Sequence, residues 1–230
     1  MSRPPVRPQD ATVVIARYDA ILRPWADRLR GAGFRVVVCE KHPRVTALGA
    51  PFIELKVDKN RGNEASAFLA YVVDRYDTLD EHTVFLHDHE RSWHHRGSIV
   101  DRVLECVGAD AGYRNLNSFR LGSIRESALY PMVAEWFQTY LAPYVGDVAT
   151  HGDWTVGRLG CSQMLVHRDN IRRWPKRVYS DLLQWLLETP LDDAISGRFL
   201  EWTWDLLWDD PKEVTEHRCG GPGAAPNAGT

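Results

Sequence analysis

Four short apolar runs within residues 12–87 constrain this chain more than any other feature. They are TVVIAR (12–17), FRVVVCE (34–40), PFIELKV (51–57) and TVFLH (83–87). Runs of this length with few polar interruptions are what strands buried on both faces require. In the third run, Phe52, Glu54 and Lys56 alternate with Ile53, Leu55 and Val57. Helical spacing fills two of the gaps. Ile21, Leu22, Trp25 and Leu29 share one side of a helix that Gly31 and Gly33 end. Ala65, Leu69, Val72 and Tyr76 do the same within residues 60–76. The order β-α-β-β-α-β with short joints predicts parallel strands, right-handed crossovers and a sheet covered by helices.

The second half is less regular. Residues 98–108 read as a helix, 109–122 as a loop and 126–141 as a helix. CSQMLVH (161–167) reads as a strand with a helix, RDNIRRW, opening after it. Pro175 begins a further helix through KRVYSDLLQWLLE, since proline is tolerated in a first turn. FLEWTWDLLW (199–208) is the last helix, with Glu201 and Asp205 four apart on one face. The expected organisation is an N-terminal tail at 1–11, one α/β domain at 12–210 and a disordered, Gly/Ala/Pro-rich tail at 211–230.

Net charge is −3, which gives no global case for nucleic-acid or anionic-membrane binding. The N-terminal stretch MSRPPVRPQDA has no apolar core of a secretory signal. No run approaches the ~18–20 apolar residues that a membrane span needs. Cys39, Cys106, Cys161 and Cys219 form no CxxC pair. Free thiols in a reducing, cytoplasmic setting are the expectation.

The stretch VFLHDHERSWHH (84–95) concentrates ligand chemistry directly behind the fourth strand. Ligands of α/β sheets bind beyond the carboxyl ends of strands. Asp88, His89 and Glu90 there suit Mn²⁺ or Mg²⁺ bridged to a diphosphate. His87, His89, His94 and His95 instead suit a transition metal, which would make the protein a hydrolase or oxidase. A solvated loop is the bland alternative. Asn60-Arg61-Gly62, followed by Glu64, sits between a strand and a helix, where backbone N–H groups favour a phosphate; Asn60 is otherwise an ordinary helix cap. Glu201 among Trp202, Trp204 and Trp208 is a carboxylate whose burial would suit it to general-base work. Walker, G-x-G-x-x-G and G-x-S-x-G motifs are absent from the sequence, which argues against a P-loop kinase, a simple dinucleotide dehydrogenase and a serine esterase. Cys161 and His167 lie too close along one strand for a thiol triad.

VVIARYDAILRPWADRL, ELKVDKNRGNEASAFLAYVVDRYDTLDEHTVFLHDHERSWHH, CSQMLVHRDNIRRWPKRVYSDLL and FLEWTWDLLW together resemble the family called domain of unknown function 3431. The likeness runs across most of residues 12–208, with 58–95 its most specific part. That family in turn looks like the glycosyltransferases of the A-type nucleotide-diphospho-sugar fold. The resemblance implies a single, mostly parallel α/β sheet flanked by helices. It implies transfer of a sugar from a nucleotide-diphospho-sugar to an unknown small-molecule or glycan acceptor, with Mn²⁺ or Mg²⁺ as cofactor. Asp19 and Asn60 would contact the nucleotide, and Arg61, Gly62 and Glu64 would lie near the phosphates. Asp88, with His87, His89 and His94, would hold the metal. Glu201 would be the base, and Gln163 resembles a Gln that recurs on the acceptor side. HDHE stands where such enzymes carry D-x-D, but only Asp88 and Glu90 are acidic here. A non-catalytic sugar-binding module is a third reading.

Overall fold

The computed structural model describes residues 4–42, 49, 52–57, 59–156 and 158–209. Six strands form one sheet in the order β3-β2-β1-β4-β6-β5. They are β1 Ala11–Arg17, β2 Arg35–Glu40, β3 Ile53–Lys56, β4 His82–His87, β5 Tyr113–Asn115 and β6 Met164–His167. The helices are α1 Arg23–Gly31, α2 Ala65–Arg75, α3 Ile99–Leu104, α4 Tyr130–Tyr140, α5 Ala142–Val145, α6 Arg168–Arg172, α7 Lys176–Glu188, α8 Asp193–Glu201 and α9 Trp204–Trp208.

β1 is buried throughout because both of its faces are covered. Val13 and Ile15 point into a core shared with Trp25 and Leu29 of α1 and Val100 and Val103 of α3. Val14 and Ala16 point into the larger core, with α2, α4, α7, α8 and α9. The molecule is therefore a three-layer sandwich. The tryptophans that are dense in the C-terminal third sit in the larger core: Trp204 and Trp208 stack at 4.5 Å, and Trp208 stacks on Phe85 of β4 at 4.9 Å.

The sheet is mixed, where a mostly parallel one was expected. β3-β2, β2-β1 and β1-β4 pair in parallel, whereas β6 pairs antiparallel with both β4 and β5. An apolar run such as MLVH reads the same in either direction. Its direction is set by where its flanking segments pack. β5 falls inside the stretch 109–122 that reads as a loop, and is three residues long. The helix expected across 199–208 is broken: α8 ends at Glu201 and α9 begins at Trp204.

Ahead of β1, Val6 is buried and Pro5 bridges Asp110, so packing begins before the expected boundary at residue 12. The tail at 211–230 lies outside the described residues. Cys39 and Cys161 are buried free thiols, but Cys106 is disulfide-bonded, which corrects the expectation of four free thiols. Among the described residues no helix is long and apolar enough to cross a membrane.

Candidate functional site

β1 is flanked by β2 on one side and β4 on the other. The chain leaves β1 through α1 towards β2, and returns from β3 through α2 to β4. The connections diverge between β1 and β4, so a crevice opens beyond their carboxyl ends. A cavity of about 490 Å³ lies there. Ala16 and Tyr18 contribute from the end of β1, and Lys41 from the end of β2. Asn60, Asn63 and Glu64 come from the loop before α2. His87, Asp88, His89, Trp93 and His94 come from the segment after β4. Cys161 and Ser162 precede β6, and Arg198 and Glu201 belong to α8.

Asp88 is buried and largely committed. Its Oδ2 accepts the backbone N–H of Tyr18 at 2.8 Å and of Ala20 at 3.4 Å, which fixes the loop leaving β1. Its Oδ1 is 3.3 Å from Nδ1 of the exposed His89. Glu90 turns aside: its Oε1 accepts from Ser98 Oγ at 2.8 Å and Arg28 Nη1 at 3.1 Å. His95 also serves the framework, with Nε2 3.1 Å from the Glu90 carbonyl and Nδ1 3.0 Å from Gln163 Nε2. Gln163 is fully buried and also donates to Asn117 Oδ1 at 2.9 Å, so it orders the loops under the cavity and does not line it.

His87 has Nε2 3.7 Å from Glu64 Oε2, and His94 has Nδ1 2.8 Å from Cys161 Sγ. Burial lowers the pKa of both rings; burial and the neighbouring His87 bring His94 down to about 4. Both are therefore neutral near pH 7. The expected metal sites are not assembled. Among the described residues no three His, Cys, Asp or Glu side chains converge as a metal-binding group. Asp88 meets His89 and the His87 ring lies edge-on to His94 at 5.0 Å, so the four form two pairs and not one ligand set for a resident divalent ion.

The loop expected to hold phosphate is instead a joint between helices. Arg61 donates from Nη2 to the carbonyls of Thr189 at 2.8 Å and Leu191 at 2.7 Å, and pairs with Asp193 at 2.9 Å. Gly62 donates its N–H to Asp193 Oδ1 at 3.0 Å. Asp19 is exposed. None of Asp19, Arg61 and Gly62 is among the lining residues. Asn60 and Glu64 do line the cavity, and Asn60 Oδ1 is buried with no hydrogen-bond partner. Arg61→Ala is accordingly expected to act on stability, by about 2–3 kcal/mol for several charge-assisted bonds lost together. Urea unfolding measures this; an unchanged midpoint would contradict the structural role.

Glu201 and Asp88 line the same cavity although 113 positions separate them in the chain. Glu201 Oε1 accepts the N–H of Cys161 at 3.0 Å. Burial first, and then the charge of Glu64, raise its pKa above the usual carboxylate range. Asp205 does not join it. It lies on α9, is half-buried, and takes hydrogen bonds from Tyr113 Oη and Arg158. Cys161 holds φ 68°, a region sparsely populated by non-glycine residues. Burial and Glu201 push its thiol pKa up, so it is a neutral hydrogen-bonding group beside the carboxylate.

Lys41, Arg198 and the pairing of Cys161 with His94 escape a sequence reading centred on 58–95. Lys41 alone had a readable signal, since it directly follows an apolar strand. Lys41 is 9% exposed, and its Nζ donates to the Asn63 carbonyl at 2.9 Å. Burial lowers its pKa, and Glu64 and Asp88 oppose that shift. At the rim, Trp93 is 71% exposed, against His94 at 3.9 Å and edge-on to Phe119 at 5.3 Å.

A family model described as "Protein of unknown function (DUF3431)" matches residues 14–220. No curated protein matches the chain, and no solved structure does.

Proposed function

The chain belongs to this DUF3431 family, and we propose that it is a transferase moving a sugar from a nucleotide-diphospho-sugar to an acceptor hydroxyl. The reading also takes the fold as A-type nucleotide-diphospho-sugar transferase-like. One observation carries it. A half-buried carboxylate with a raised pKa, Glu201, shares a cavity at the switch point of an α/β sheet with groups suited to a polyhydroxylated anionic ligand.

The roles follow from position. Asn60, through its unpartnered Oδ1, and Tyr18 are placed to hydrogen-bond the donor. The exposed face of Trp93 offers an apolar surface at the mouth, where an acceptor enters. Glu201 takes the proton from the acceptor hydroxyl. The freed oxygen bonds to the anomeric carbon, the bond from that carbon to the phosphate oxygen breaks, and the diphosphate leaves with the electron pair. The N–H of Cys161 holds the carboxylate in place. Among the described residues no ligand set for a divalent ion forms.

A thermal-shift screen against nucleotide sugars tests the reading. A specific ligand raises the melting temperature by mass action. The expected result is a rise for one nucleotide class and its diphospho-sugars, followed by release of nucleoside diphosphate when acceptors are added. No shift with any nucleotide or nucleotide sugar would remove the proposal.

A further inference from the structure

The same cavity carries its own cations. We infer that Lys41 and Arg198 bind the diphosphate directly, in the place a bridging divalent ion would otherwise take. The inference deepens the proposed function and rests on it for what the diphosphate is attached to.

Lys41 stands at the carboxyl end of β2, its stem buried and its backbone N–H bonded to the Arg17 carbonyl at 3.0 Å. The part-buried Arg17–Glu40 pair at 2.8 Å ties the ends of β1 and β2 together directly before the lysine. An ammonium has three donors. One is used on the Asn63 carbonyl, which leaves the others for a ligand. Arg198 enters from α8 on another wall, exposed, with its guanidinium 5.9 Å from the Trp202 ring. An ammonium and a planar guanidinium fork are the usual protein means of holding phosphate oxygens.

The carboxylates of the cavity decide whether an anion is tolerated. Asp88 Oδ2 is already bound by two backbone N–H groups. Glu201 is held by the Cys161 N–H. Glu64, whose Oε2 is 3.7 Å from His87, is a further carboxylate that repels an anion. This gives an outcome that separates the two ways of holding a diphosphate. If a metal with Glu64 among its ligands bridged protein and diphosphate, neutralising Glu64 would remove an oxygen donor and weaken binding. If the lysine and arginine bind the diphosphate alone, it would remove a repulsion and strengthen binding.

The test is titration calorimetry on the full chain, purified without a histidine tag and stripped of metal. The probes are inorganic pyrophosphate and the common nucleoside diphosphates, each with EDTA and again with Mn²⁺. Binding is expected in EDTA. Lys41→Met and Arg198→Ala should each weaken it roughly tenfold to hundredfold, as for loss of a charge-assisted hydrogen bond. Glu64→Gln should tighten it about threefold or more. Lys41→Arg, which keeps the charge, serves if Lys41→Met fails to fold, and should retain more binding than Arg198→Ala. Binding that needs Mn²⁺, or that survives loss of Lys41 and of Arg198, overturns the inference and leaves the proposed function standing. Lysine-dependent binding of pyrophosphate with no preference for any nucleoside diphosphate keeps the anion site and removes the nucleotide-sugar reading. No binding of any probe overturns both.

Discussion

Glu201→Gln is expected to lower turnover by about a hundredfold or more while leaving donor binding within a few-fold of wild type. A base acts mainly in the transition state, so its loss shows in kcat far more than in ground-state affinity. The amide keeps the shape, and its oxygen still accepts the Cys161 N–H. It cannot accept a proton. The wild-type pH profile should report the same group. Because the base works deprotonated and its pKa is raised, activity should fall on acidification at a pH above the ordinary carboxylate range. That acid limb should be absent from the residual activity of the variant. Stability should move the other way. A carboxylate whose folded pKa exceeds its unfolded value costs stability as pH rises from the unfolded pKa through the folded one. Glu201→Gln should therefore melt no lower than wild type at pH 7. Near-normal turnover would reject Glu201 as the base, and a large loss of stability would show that its role is structural.

Gly197→Ala should do what an alanine in a helix seldom does. In an open helix the change stabilises by up to about 1 kcal/mol. Here a Cβ at position 197 would stand 2.7 Å from the Gly62 carbonyl oxygen and 2.8 Å from its carbon. These are backbone atoms and cannot swing aside. Gly62 has no freedom to retreat either: it holds φ +58°, and its N–H is bonded to Asp193 at the start of α8. The helix must move off the loop, with an overpacking cost of about 1–3 kcal/mol. A net loss near 2 kcal/mol lowers the melting temperature by roughly 4–8 °C in a chain of this size. Turnover should fall as well, because Glu201 lies one turn further along the same helix. A melting temperature at or above that of wild type would show that α8 is not held at this contact.

Close glycine-to-glycine packing explains why the stretch Asn60-Arg61-Gly62 misleads when read as a sequence. A glycine before a helix looks the same whether it admits a phosphate or another helix. Only the position of α8, 131 residues downstream at Asp193, distinguishes them. Glu90 poses the same problem: next to Asp88 it reads as a ligand, yet it is directed to Arg28 and Ser98. Cys161 has its partner in His94, 67 positions away, which no local spacing along the strand indicates.

The amino-acid sequence by itself determined the first four strands, the crossover helices between them, and the location of the cavity at their carboxyl ends. Those follow from local periodicity: burial on both faces demands continuous apolar runs in β1, β2 and β4, and an intervening helix returns the chain to a parallel strand. It also marked Asp88 and Glu201 as carboxylates worth placing. The tertiary structure alone decided that β6 runs against its neighbours and that α8 and α9 are separate helices. It also decided that Asp88 anchors a loop and that Glu201 lines the same cavity. The reason is physical. Strand direction, a carboxylate's hydrogen-bond partners and its pKa depend on groups brought near by the fold, and those groups lie tens to more than a hundred residues away in the chain.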